Sequence, residues 1–130
     1  MTASDRGSDR DRIAVTGIVA RGFHGVLEHE RREGQTFVVD IALGVDTRAA
    51  AASDDLAHTV DYSAVAADVV ALVSGEPVDL IETLAQRIAD ACLARDLVDS
   101  VEVVVHKPDA PVGVPFGDVT VSIVRRRERP

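Results

Sequence analysis

Lys107 is the only lysine among 130 residues; the other thirteen of the fourteen basic side chains are arginines. Arginine serves a surface charge or a static ion pair at least as well but keeps its proton at every physiological pH, so a lysine retained at one position suggests a proton that must move. A coding bias towards arginine with one chance survivor accounts for the count equally well. Tyr62 is likewise the only tyrosine; its phenol could exchange a proton, or serve as an ordinary amphipathic ring entering a helix. The other reactive types are sparse. Of four histidines, His24 and His29 stand five apart in one connection while His58 and His106 lie in unrelated segments, so no recognised metal-ligand spacing is present and no metal is expected. The single cysteine, Cys92, excludes an internal disulfide, argues against structural zinc, and falls on an apolar helix face where an inert packed thiol is expected. Gly22 and Gly25 do not follow a phosphate-loop pattern, so no nucleotide cradle is expected.

These residues need a scaffold, and 130 residues with 46% apolar content suit one globular domain. Its expected bounds are residues 12–126, between a frayed leader at 1–11 and a tail at 127–130. The leader alternates charged and small residues, which fits neither a signal peptide nor a membrane anchor. A net charge of −8 disfavours nucleic acid and anionic membranes as partners. The basic run from Arg125 to Arg129 reads as a solvated terminus. A reducing cytoplasm is the default compartment for such a chain.

Strand periodicity opens at Arg12 to Arg21, with Ile13, Val15, Gly17 and Val19 on one side, and repeats more strongly over Thr36 to Asp46, with Phe37, Val39, Ile41, Leu43 and Val45 inward. A polar connection from about Gly22 to Gln35 joins them and holds two histidines and four acidic or amide residues, dense for a linker. After an alanine-rich stretch the period becomes helical: Val65, Val69, Leu72 and Val73 line one face until Gly75 and Pro77. A second helix carries Ile81, Leu84, Ala85, Ile88 and Cys92 on one stripe, and Asp79 with Glu82 resembles a capping box at its start. Strands over Ser100 to His106 and Asp118 to Arg126 complete the order strand, strand, helix, helix, strand, strand. Strands and helices in blocks predict an α+β fold, a four-stranded antiparallel sheet with both helices on one face. The other face, with Val38, Ala42, Val104, Thr120 and Val124, stays open, and two sheet edges stay unpaired. Joining subunits edge to edge into a barrel removes both liabilities, so a symmetric ring is expected.

Four segments in order carry a resemblance to a known family: Phe23 to Glu30 (FHGVLEHE) with Glu33-Gly34-Gln35; Asp61-Tyr62; Leu80-Ile81-Glu82-Thr83-Leu84-Ala85; and His106-Lys107-Pro108 with Ala110-Pro111. On these segments the chain resembles, over nearly everything from Arg12 to Arg126, the bacterial dihydroneopterin aldolases of the folate pathway, proteins of the tunnelling fold. The resemblance implies a retro-aldol cleavage of 7,8-dihydroneopterin into 6-hydroxymethyl-7,8-dihydropterin and glycolaldehyde, with epimerase activity as a companion. The imine that serves as electron sink is already in the dihydropterin ring, so the resemblance implies neither cofactor, metal nor enzyme Schiff base.

Similarity to the family makes Lys107 the proton-transfer residue and Tyr62 the neighbour that helps protonate the enol-like intermediate. It makes Glu82 the carboxylate that takes paired hydrogen bonds from the pterin amino group and ring N–H, and Glu30 the catalytic glutamate that also contacts the hydroxylated tail. Backbone groups near Val60 to Tyr62 and at Ile81 complete the pterin cradle. The family also implies a tetramer or octamer with sites at subunit interfaces. Two rivals remain: an epimerase of a phosphorylated pterin, and a non-catalytic pterin- or purine-binding barrel that keeps Glu82 without using Lys107.

Overall fold

The period-two stretches pair into one antiparallel sheet of strand order β1-β2-β3-β4, in a computed structural model that describes residues 11–128. The strands are β1 (Asp11–Gly22), β2 (Gln35–Val45), β3 (Ser100–His106) and β4 (Thr120–Arg126). Two long helices, α3 (Tyr62–Val73) and α4 (Ile81–Leu93), lie on one face, α3 against β1 and α4 against β3 and β4. Short helices α1 (Glu28–Glu33) and α2 (Arg48–Ser53) occupy the connections. The α+β architecture expected from the sequence is therefore present.

The core is an apolar layer between sheet and helices. Phe37, Val39, Ile41 and Leu43 of β2 lie beside Val101, Val103 and Val105 of β3 on the helix-facing side of the sheet, against Val65, Val69, Leu84, Ala85 and Ile88 of the helices, all buried. Burying a side chain of this size stabilises the fold by about 1.5–3 kcal/mol, which makes the central pair β2–β3 the most strongly specified part of the sheet. Cys92 is buried in this layer, and burial pushes its thiol up to about 11, as suits an inert packing residue.

The first strand departs from the simple alternation. Its register with β2 shifts between Val15 and Ile18, where Gly17 adopts φ +72°, so Ile13 and Val15 face the helices but the set then moves to Ile18 and Ala20. Val19, expected inward, is instead 62% exposed. A bulge inserts one extra residue and reverses every later side chain, and glycine supplies the left-handed backbone it requires.

Both ends differ from expectation where the structure describes them. Asp11, assigned to the leader, belongs to β1, and its carboxylate accepts bonds from the Thr47 N–H and Oγ1–H at 3.0 and 2.7 Å. Arg127, assigned to a solvated tail, donates from Nη2 to the carbonyls of Leu93, Arg95 and Val98 at 2.7, 2.8 and 2.7 Å. The last carbonyls of α4 and its following turn lack helical donors and carry partial negative charge, so a nearby guanidinium docks there. The remaining leader and tail positions lie outside the described residues.

Candidate functional site

The polar connection after β1 folds into α1, which places Glu30 at its third position. Glu30 is 4% exposed, and its carboxylate gathers three donors: Lys107 Nζ at 2.7 Å and Gln35 Nε2 at 3.0 Å on Oε2, and the Leu27 N–H at 3.2 Å on Oε1. Gly25 permits this close approach. A Cβ there would stand 2.3 Å from Glu30 Oε1, and its φ of +147° suits only glycine. Burial alone would raise the Glu30 pKa, but the bonds from Lys107, Gln35 and Leu27 outweigh it and hold the carboxyl below its ordinary range.

Lys107 arrives from the other end of the chain. It follows the last residue of β3, and its backbone N–H still bonds the Val119 carbonyl at 2.8 Å, so the sheet register aims its side chain at Glu30. The lysine side chain is only 12% exposed. An ammonium sheltered to that degree beside a buried carboxylate forms a preorganised pair across which a proton can be handed to or taken from a bound molecule.

Beside the pair lies a cleft of about 410 Å³, lined by Leu27, Glu30, Leu80, Ile81, Glu82, Lys107, Ala110, Val112, Val119 and Val121 among others. That volume and its apolar walls with a few charged groups match a small-molecule site. Four of the five residues expected to act together therefore meet here: Glu30, Ile81, Glu82 and Lys107. Tyr62 does not line this cleft; it opens α3, 58% exposed, just after Asp61, whose carboxylate caps that helix by accepting the Ser63 and Ala64 N–H groups.

The expected capping box at α4 is absent. Leu80, not Asp79, is the N-cap, no side chain caps it, and the Asp79 carboxylate instead pairs with the Arg31 guanidinium. That contact draws Asp79 towards α1, and the helix begins one residue later than the sequence suggested. Glu82 is exposed at the cleft and the first turn of α4 faces it without a side-chain cap, so acceptor and donors there are available to a ligand.

Two of the four histidines, His24 and His106, take structural roles. His24 is fully buried; its Nε2–H donates to the Val73 carbonyl at 2.7 Å while Nδ1 accepts the Val78 N–H at 3.0 Å, and the ring meets Phe37 edge to face. His106 bridges two carboxylates on the open face of the sheet. Among the described residues no three His, Cys, Asp or Glu side chains converge as a metal site. Gln35, which donates to Glu30, has no signature of its own in the sequence beyond strand alternation, which turns it to the buried side of β2. Nothing in the sequence signalled that Asp40, His106 and Asp118 meet.

The family model for dihydroneopterin aldolases matches residues 13–124. A protein of Streptomyces coelicolor named dihydroneopterin aldolase is 64% identical over 117 residues, covering 90% of this chain and 98% of that one. One of the same name from Bacillus subtilis is 37% identical over 118 residues, 90% of this chain and 98% of its own. Among solved structures, E. coli dihydroneopterin aldolase in complex with neopterin superposes with a TM-score of 0.81 at 32% identity, covering 88% of this chain and 98% of that one.

Proposed function

The chain belongs to the dihydroneopterin aldolase family and has that family's activity, and we propose that the cleft beside Glu30 and Lys107 is where it cleaves 7,8-dihydroneopterin into 6-hydroxymethyl-7,8-dihydropterin and glycolaldehyde. The observation that carries this reading is the buried Lys107–Glu30 pair at 2.7 Å on the wall of the cleft. In it, the pterin ring lies along Leu80 to Glu82, with the Glu82 carboxylate taking two hydrogen bonds from the ring's amino and N–H groups and the Ile81 amide facing a ring acceptor. The hydroxylated tail then reaches Glu30 and Lys107.

The proton on the departing carbon's hydroxyl leaves towards this pair, the carbon–carbon bond breaks to an aldehyde, and its electrons move into the ring imine. Lys107 returns a proton, directly or through water, and Tyr62 helps protonate the enol-like intermediate; re-addition of the aldehyde on the other face would give the epimer. No enzyme Schiff base is needed, because the substrate brings its own imine. Metal independence follows from the same electron sink.

Tyr62 comes from another subunit. In one chain it stands apart from the cleft, and β1 and β4 are the edge strands of the sheet, so we assign the complete site to a ring of subunits, a tetramer or two stacked tetramers. The working unit extends one residue beyond the expected 12–126 at each end, to Asp11 and Arg127, and acts in the cytoplasm; among the described residues no helix is long and apolar enough to cross a membrane. Chromatographic product analysis after incubation with 7,8-dihydroneopterin tests the reading. Wild-type protein should release glycolaldehyde, and Lys107→Ala should release none while still binding a pterin. Near-wild-type turnover by Lys107→Ala would remove the lysine from the mechanism.

A further inference from the structure

We propose that His106 is a positioning residue for Lys107, acting as a clamp that joins β1, β2 and β3 to the segment leading into β4, behind the site. The inference rests on the reading of Lys107 as the proton-transfer residue. His106 is the last residue of β3 and Lys107 the next in the chain; His106 lies on the open face of the sheet, Lys107 reaches Glu30 on the helix-covered side. The imidazole bonds Asp40 of β2 through Nε2 and Asp118, just before β4, through Nδ1, both at 2.8 Å. The other oxygen of each carboxylate is also engaged. Asp40 Oδ1 accepts the Gly17 N–H of the β1 bulge at 2.7 Å, and Asp118 Oδ1 accepts the Val119 N–H at 2.8 Å.

The second of these closes a loop on the catalytic side. The Val119 carbonyl holds the Lys107 backbone N–H at 2.8 Å, and Val119 itself lines the cleft. His106, Asp118, Val119 and Lys107 thus form one ring of bonds at the end of the β3–β4 ladder, where strands otherwise fray. Loss of the clamp frees the backbone that aims the lysine, without removing any group that touches substrate.

Two carboxylates facing two ring nitrogens require both nitrogens to be donors, which only the imidazolium provides. The bonds to Asp118 and Asp40 accordingly raise the His106 pKa above 6.5. The charged groups facing the ring are Asp40 from β2 and Asp118 from the segment before β4, while β1 contributes only the Gly17 amide. A His with a raised folded pKa gives stability that is fully present below its ordinary value and lost as pH rises through the folded one, so the clamp loosens on the alkaline side.

The test compares wild type, His106→Asn, Asp118→Asn and Lys107→Ala as folded, assembled proteins, with kcat and KM for 7,8-dihydroneopterin measured across pH and the His106 ring followed by NMR. His106→Asn should lower kcat by about ten- to a hundredfold with KM little changed, the scale of a misplacement of about 1 Å in a reacting group. Asp118→Asn deprives the imidazolium of a counter-charge in either orientation of the new amide. It should move the alkaline limb of kcat and the ring titration together towards lower pH, a coupling that a merely structural role would not produce, and this arm decides if His106→Asn fails to fold. A kcat for His106→Asn within about twofold of wild type, or an alkaline limb in Asp118→Asn that stays put while the ring titration moves, overturns the clamp. An active Lys107→Ala would instead overturn the lysine reading beneath it.

Discussion

Glu82 is the residue on which two physical accounts competed, and the structure removed one of them. With Leu80 as N-cap and Asp79 paired to Arg31, the carboxylate is not half of a capping box, although an acid in the first turn still gains about 0.3–1 kcal/mol from the helix dipole. Glu82→Ala should therefore cost little stability. It should raise the Kd for a pterin by about tenfold or more, because charge-assisted bonds are worth about 1.5–3 kcal/mol and exist in substrate and product alike. Unchanged affinity in isothermal titration would remove Glu82 from the cradle. At Lys107 the residue-scale prediction is chemical: borohydride added during turnover should leave no adduct by mass spectrometry, and chelators should leave the rate unchanged. A mass increase localised to Lys107 would establish an enzyme imine.

At the scale of elements, the cleft depends on how α3 and α4 are joined. His24, at the start of the first connection, crosses to that loop and bonds both Val73 at the end of α3 and Val78 ahead of α4. His24→Ala should destabilise the protein by about 3 kcal/mol in thermal or denaturant unfolding, since it strands a buried N–H and carbonyl and leaves a cavity. Burial lowers the His24 pKa, with the Val73 bond working against it. Its sign is opposite to that of His106: the unfolded state takes up the proton first, so stability falls as pH drops below about 6.5. Wild-type stability should decline on that acid side, and His24→Gln should flatten the slope; an unaltered slope would assign the decline to other groups.

For the whole molecule, the unpaired edges and the position of Tyr62 make a single prediction. If each site joins Tyr62 of one subunit to Glu82 and Lys107 of the next, then Tyr62→Ala and Lys107→Ala, each inactive alone, should regain activity when unfolded together and reassembled. A fraction of interfaces would contain only intact residues, and stability and activity would both depend on protein concentration. Mixed rings verified by native mass spectrometry yet devoid of activity, or a fully active monomer in sedimentation, would defeat the shared site.

What the sequence determined by itself follows from short-range rules. Periods of two and of 3.6 residues located β2, β3, α3 and α4 and their inward faces, because burial selects apolar side chains at the spacing of the backbone. The uniqueness of Lys107, with the family resemblance, singled out Glu30, Ile81 and Glu82, and the fold gathers all four at one cleft. The bulge at Gly17, the Arg31–Asp79 pair that replaced the capping box, the docking of Arg127 and the His106 clamp were decided only by tertiary structure. Each is a contact between residues far apart in the chain, or a one-residue shift in register. Local periodicity carries no information on which distant charge will arrive at a given carboxylate; the packing of sheet and helices does.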